Sequence, residues 1–363
     1  MSFTLCGTRL PDDYIEARTA QSATRDPGKY LYVKVVYIVV TDEHISLDRI
    51  KAQHAVINTD FNRTNPDIER VPTSGNYNYH GVVGESKIRF LPLTLEELTE
   101  DEYVKRVPTS QIFAGLDDVE SFAGAHAEPN VINIYVAKLT SGLLGQAKLF
   151  SNVCVLNHRT VGGYTTRGDP SLEEYNQGRT ATHELGHVLG LPHTFAQDGT
   201  SCDQEFQDIP AQKRPNFDAF LVREADGTYT GTLDNRFRDE HQPHYNLANV
   251  SPPYSCGGVY EMFFNFMDYG NDQNAIMFTK AQCAAMRQYL LSTNLASGEG
   301  PEVPPTFDVG ELDPWTTTAL PTEHPPLRED EGESLAAWVI AAIVLGSVLI
   351  LALIVTLSVY YSH

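Results

Sequence analysis

The chain has 363 residues, 42% of them hydrophobic and 10% aromatic, which is enough to bury a sizeable core and excludes a protein disordered throughout. Its 47 acidic residues outnumber 26 basic ones, giving a formal charge of -21; this excludes nucleic-acid binding through phosphate contacts and suits solubility, a cationic partner or bound calcium. Five scattered cysteines (Cys6, Cys154, Cys202, Cys256 and Cys283) with no C-x-x-C pair exclude both a disulfide-built fold and a structural zinc site of thiolates.

Residues 1–29 are polar and rich in turn formers, an N-terminal extension without the basic start and apolar run of a signal peptide. Tyr30 to Val40 is a β-branched and aromatic run that predicts a strand buried on both faces. Ser46 can cap a helix carrying Leu47, Ile50, Ile57 and Phe61 at helical spacing, with His54 on its apolar face as a packed core residue. Ser86 to Pro92 alternates like a half-exposed strand, and Asn130 to Leu139 and Leu149 to Leu156 read as further apolar strands. A second helix covers about Thr180 to Leu189. Strands alternating with helices predict an α/β (α+β) fold, a sheet with helices packed on it.

From Pro192 to about Met277 the pattern dissolves into Gly, Pro, Asn and Asp with scattered aromatics, a stretch too long to be held by ladders alone. Thr279 caps a last helix to Leu291, closing a domain over 30–297. Residues 298–334 carry seven prolines and many acids and read as a disordered stalk. Leu335 to Val359 then runs 25 residues without a charge, longer as a helix than the roughly 30 Å hydrocarbon core of a bilayer. Trp338, Tyr360 and Tyr361 suit its two interfaces, so the segment predicts a single-pass membrane anchor followed by a short tail, 360–363.

The chemistry sits on the second helix. His183-Glu184-Leu185-Gly186-His187 places two imidazoles at i and i+4, on one helical face, where both can bind one ion. Glu184 is rotated off that pair but stays near enough to act on a water at the metal. Gly190 can take the positive φ that ends the helix, Pro192 prevents its continuation, and His193 can return as a third ligand. Three neutral imidazoles leave one position open on a tetrahedral zinc, the arrangement of a catalytic site. His158, His241 and His244 lie in irregular regions and are not expected to be ligands.

The string from His183 to His193 is the zinc signature of metzincin peptidases, and Gly178 to Phe195 resembles the pappalysin family, which includes ulilysin-like and fungal secreted members. Asn265-Phe266-Met267-Asp268-Tyr269 is similar to that family's Met-turn, and Leu143 to Ala147 resembles the segment before its cleft-lining edge strand. The resemblance implies a metzincin-type fold over roughly residues 30–291: a twisted mixed sheet with the active-site helix, then an irregular subdomain with the Met-turn and a terminal helix. It implies a zinc endopeptidase acting on peptide or protein substrates, with His183, His187 and His193 as ligands and Glu184 as general base. Tyr269 would approach the metal or the oxyanion, Met267 would floor the imidazoles, and substrate would extend along the edge strand near 146–150. It further implies a Cys202–Cys256 disulfide, and Cys6-Gly7-Thr8 resembles a prosegment cysteine that can take the fourth zinc position. The chain departs from the family where Asn274 replaces a frequent cysteine and Gln273 replaces a pocket aspartate, for which Asp272 could substitute.

Other readings remain at this stage: a catalytically idle, membrane-displayed fold, or a zincin of another clan. The sequons Asn62-Arg63-Thr64 and Asn249-Val250-Ser251 and the implied disulfide suit an extracellular, lumenal or virion-surface domain. A C-terminal helix without a leader suits a cytosol-facing tail anchor.

Overall fold

The computed structural model describes residues 6–8, 14, 26, 28–71, 79–140, 142–197, 199–203, 205–216, 222–223, 229–230, 256, 261–297, 301 and 303–307. The stalk from 308, the anchor over 335–359 and the tail lie outside the described residues, as do His241, His244 and Asn249. No helix among the described residues is long and apolar enough to cross a membrane.

The branched run of the sequence becomes β1 (Leu31–Val40), the central strand. Its first turn of register pairs in parallel with β2 (Ile88–Leu91), and its far end with β3 (Val104–Arg106), which follows the short α2 (Glu100–Tyr103). On the other side it pairs in parallel with β4 (Ile132–Ala137), which pairs with β6 (Val153–Asn157). β5 (Gly145–Ala147) closes that edge antiparallel to β6, giving the order β2-β1-β4-β6-β5.

Alternation along β1 feeds two cores, because successive side chains leave opposite faces of a strand. Val33, Val35, Tyr37 and Val39 pack with Ile50 and Ile57 of α1 (Leu47–Phe61) and with Leu185 and Val188 of the zinc-motif helix. Val36, Ile38 and Val40 meet Leu116, Val119 and Ala123 of α3 (Leu116–Ala123). Ser46 caps α1, its hydroxyl accepting from Arg49 N at 3.2 Å. His54 is fully buried, with Nε2 2.9 Å from the Pro92 carbonyl and Nδ1 3.3 Å from the Tyr37 hydroxyl.

Three expectations are corrected. The 86–92 strand is not half exposed: Ile88, Arg89 and Phe90 are buried. Phe90 meets Phe61 of α1 edge to face at 4.9 Å, while Arg89 lies over the Tyr30 ring on the other face. The strand expected from Leu149 starts only at Val153, because Phe150 takes φ +53° and turns the chain. The sequon at Asn62 cannot carry a glycan in this fold. Asn62 is 2% exposed and its amide donates to the carbonyls of Asn58 (2.8 Å) and Ile88 (2.6 Å).

The zinc-motif helix is α4 (Arg179–Val188). A two-strand pair, β7 (Val222–Arg223) and β8 (Tyr229–Thr230), follows in the irregular region, and the Cys202–Cys256 disulfide (Cα–Cα 5.7 Å) staples that region across 54 residues. α5 (Lys280–Leu291) opens with a capping box between Thr279 and Gln282, and β9 (Ala296–Ser297) returns antiparallel to β1.

Candidate metal centre and cleft

α4 begins after Gly178 (φ +93°), and its first amides are capped from a distance: the Asp272 carboxylate accepts from Gln177 N (2.7 Å) and Arg179 N (3.4 Å). Arg179 then ties the helix to its surroundings. Its guanidinium donates to Asp67 (2.6 and 2.8 Å), Asp60 (3.2 Å), the Asp272 carbonyl (2.9 Å) and the Tyr164 hydroxyl. Asp60 also accepts from Thr182 one turn on, at 2.7 Å. The helix that carries the motif is therefore bolted to α1 and to the loop after Met267 before any metal is considered.

The helix ends where the sequence requires. Gly190 has φ +88°, and a Cβ there would collide with the Phe150 ring. The chain turns back and brings His193 to the other two imidazoles, with His187 Nε2 3.1 Å from both His183 Nε2 and His193 Nε2. His183 Nδ1 lies 2.7 Å from the Phe266 carbonyl and His187 Nδ1 2.7 Å from the Leu191 carbonyl. A carbonyl only accepts, so both Nδ1 atoms carry the proton and both Nε2 lone pairs face inward. Burial holds His183 near a pKa of about 4 and holds His187 and His193 well below the ordinary imidazole value. All three are thus neutral, the form that ligates a metal. Lone pairs crowded this closely repel unless a cation sits among them; zinc–nitrogen bonds of 2.0–2.1 Å at tetrahedral angles would place the nitrogens ~3.4 Å apart. The residues fit a zinc ion.

Among the described residues, one group of His, Cys and acid side chains is compact enough to hold a metal: these three histidines and Cys6, whose ligand atoms lie within 4.8 Å of one another. Cys6 arrives on the N-terminal segment, which lies parallel to β5, with a bridge to Gly145 and Gly7 N donating to the Gly145 carbonyl at 3.1 Å. The Cys6 thiol is 3.5 Å from Glu184 Oε2 and accepts from Thr8 N at 3.3 Å. Burial and the Glu184 charge push that thiol well up. Thr8 Oγ1 accepts from Ala147 N at 2.8 Å and shares its own proton between the Ala147 carbonyl (3.1 Å) and Glu184 Oε2 (3.3 Å). Burial raises Glu184 to about 8, and its Oε1 has no hydrogen-bond partner. Gly145 has no side chain because a Cβ there would stand 2.7 Å from Glu184 Oε1.

Met267 is fully buried against Gly186, the residue directly before His187, where a Cβ would strike its sulfur. Asn265 sets the turn: its Oδ1 accepts from Met267 N at 2.9 Å, and its side chain exchanges hydrogen bonds with Gln282 of α5 at 2.8 and 3.0 Å. Tyr269 packs edge-on to His193 at 4.9 Å between ring centroids, and its hydroxyl donates to the Cys6 carbonyl at 3.2 Å. A pocket lined by Leu144, Tyr175, Arg179, His183, Glu184 and Tyr269 opens beside the site.

Asp272, which the sequence offers as a pocket acid, lines that pocket, and its carboxylate also accepts from Gln177 N and Arg179 N at the start of α4. The edge strand is also shorter than expected, ending at Ala147. Asn274 donates to Asn271 Oδ1 at 2.7 Å. Residues that sequence reasoning missed are Arg179 with Asp60 and Asp67, and Thr8. The one available signal was a charged Arg179 directly before an otherwise buried motif.

This arrangement, a mostly parallel sheet with one antiparallel edge strand beside a three-histidine helix and a Met-turn, is the metzincin-type metallopeptidase fold. Residues 161–291 match the peptidase family described as pregnancy-associated plasma protein-A. The chain is 41% identical over 171 residues to an extracellular metalloprotease of Arthroderma benhamiae, covering 43% of this chain and 49% of that protein. It is 29% identical over 140 residues to one of Colletotrichum graminicola, covering 39% and 38%. The chain thus spans about half the length, or less, of the curated relatives it matches. Mature mirolysin of Tannerella forsythia, solved with a cleaved peptide, superposes with a TM-score of 0.54 at 26% identity, over 72% of this chain and 92% of that one. Promirolysin of the same organism superposes at 0.60 with 23% identity, over 80% and 95%, and shares the fold.

Proposed function

We propose that the chain is a zinc-dependent endopeptidase kept latent by its own N-terminal segment. The observation that carries this is the convergence of three imidazole Nε2 atoms beside a buried glutamate. His183, His187 and His193 would hold the zinc, and Cys6 would take the remaining position while the segment is in place. When bound, the ion polarises the scissile carbonyl and makes water a competent nucleophile near neutral pH. Glu184, freed of Cys6 and Thr8 and ionised, takes the proton of the attacking water and returns it to the leaving amine. Tyr269 gives up its bond to the Cys6 carbonyl and turns its hydroxyl to the oxyanion. β5 offers its main-chain groups to an extended peptide, as it does to Gly7 and Thr8. Met267 keeps the imidazoles on a dry apolar floor.

The domain boundaries follow the same reading: 1–29 as prosegment, 30–297 as peptidase, 298–334 as stalk and 335–359 as membrane anchor. The disulfide and the relatives' name, extracellular metalloprotease, favour an exterior, lumenal or virion-surface domain over a cytosol-facing one. Among the described residues no compact cluster of three or more acidic side chains supports the calcium reading. Protease protection of intact membranes decides the side.

The test is cleavage of a quenched peptide library by zinc-loaded chain, with and without chelator, alongside Glu184→Ala and Cys6→Ala. Activity that survives chelation or Glu184→Ala sinks the zinc reading, and absence of any cleavage after Cys6→Ala favours the idle alternative. Zinc content by mass spectrometry should fall in His193→Ala irrespective of activity.

A further inference from the structure

Past Thr8 the N-terminal segment meets the body again at Tyr14. The Tyr14 ring lies nearly flat on Phe150, with centroids 5.5 Å apart and planes 22° apart, and its hydroxyl donates to the Gly190 carbonyl at 3.2 Å. Only 4% of Tyr14 is exposed. Both partners are fixed from behind. Phe150 packs on Tyr289 at 5.5 Å, and the Tyr289 hydroxyl donates to the Ser151 carbonyl at 2.9 Å. Gly190 leaves room for the Phe150 ring because it has no Cβ. Its carbonyl accepts from Tyr14, and among the described residues of the body none donates to it. The result is a slot with an aromatic face along its length and a lone acceptor at its end.

We propose that this slot is a substrate subsite that selects a tyrosine side chain, and that Tyr14 fills it in the intact chain. The inference rests on the peptidase reading above. The segment binds Gly145 to Ala147 through Cys6, Gly7 and Thr8, then reaches Phe150, so it follows the cleft rim in the order of the rim's own residues. In the intact chain the slot is filled by Tyr14, six residues after the Thr8 that bonds Ala147, so a peptide laid on β5 presents a side chain to Phe150 from beyond the residue paired with Ala147. An aromatic ring stacks on the Phe150 face, and a para hydroxyl supplies the donor that the Gly190 carbonyl needs. Phenylalanine meets the first requirement and fails the second. Alanine meets neither. The order expected is Tyr, then Phe, then Ala.

The experiment uses the full, zinc-loaded chain carrying Cys6→Ala and Tyr14→Ala, so that the slot is emptied in place. Matched quenched peptides carry Tyr, Phe or Ala at successive positions along the sequence. At one position Tyr should exceed Ala by about tenfold in kcat/KM, with Phe between. Adding Phe150→Leu, which keeps an apolar side chain and removes the aromatic face, should bring the three within about twofold. A Tyr preference at no position, or one indifferent to Phe150→Leu, overturns the proposal. A second measurement is independent of catalysis and of that variant's folding: saturation-transfer NMR with N-acetyl-tyrosinamide. Binding is expected to the chain with Tyr14→Ala and not to the chain with Tyr14 in place; no binding to the former overturns the slot. Binding without cleavage of any peptide sinks the peptidase reading and leaves the slot standing.

Discussion

The sheet half of the molecule and the irregular half after Pro192 are held by different means. β1 is bonded along its length to parallel neighbours and buried on both faces, so its position follows from many small, redundant terms. The Met-turn region has few ladders and rests on single side chains. Asp268 alone accepts from Gln212 (2.9 Å), Asn216 N and Nδ2 (3.0 Å each) and Tyr269 N (2.8 Å). The Asn265–Gln282 pair and the Cys202–Cys256 bond add to it. Of the three histidines proposed as metal ligands, two come from the regular half and one from the irregular half, so the proposed site needs both kinds of order.

The largest expected effect tests the site shared by both halves. Glu184→Gln should lower kcat by about a thousandfold with zinc content unchanged, as loss of a general base does. Next is the bolt between them: Arg179→Leu leaves Asp60 and Asp67 buried and unpaired, and urea denaturation should show a loss of ~3–5 kcal/mol. Comparable loss from an exposed pair such as Lys148–Glu120 would break the argument. Opening the disulfide with Cys202→Ser should cost about 4 kcal/mol on loop-entropy grounds. Limited proteolysis should then cut the region between 202 and 256 while β1 to β6 stay protected; simultaneous loss of both halves would erase the distinction. The sheet half should instead be weak to acid. His54 has a pKa of about 4 in the fold against 6.5 unfolded, so its contribution is complete above pH 6.5 and is lost as pH falls toward 4. Denaturation across that window should show ~3 kcal/mol of decline, flattened by His54→Gln. The smallest effect is Asn265→Ala, at ~1–3 kcal/mol, with a larger fall in zinc affinity than its stability change alone explains.

What could be read in the sequence was what is local. The spacing from His183 to His193 is set by one helix and one glycine turn, and a metal site built that way is visible in eleven consecutive residues. The β1 run was visible because burial on both faces removes polar residues from a strand. The Arg179 network was hidden, since its partners lie 119, 112 and 93 residues away in Asp60, Asp67 and Asp272. The second role of Asp272 was hidden for the same reason: beside the Met-turn it resembles a pocket acid, and only the fold also delivers it to the start of α4. Thr8 meets Glu184 across 176 residues, with no pattern to announce it. The late start of β6 was missed because hydrophobic periodicity does not register the positive φ of Phe150.

Gly145 carries one more implication. Since any side chain at 145 would press on Glu184, the rim shows a visitor peptide groups, the Gln146 amide, which donates to the Gly7 carbonyl at 3.1 Å, and little more than a methyl from Ala147. Such a rail grips every extended chain alike and cannot tell one sequence from another. Discrimination has to be exercised at the rail's ends, by whatever side chains hang into the hollows on either side.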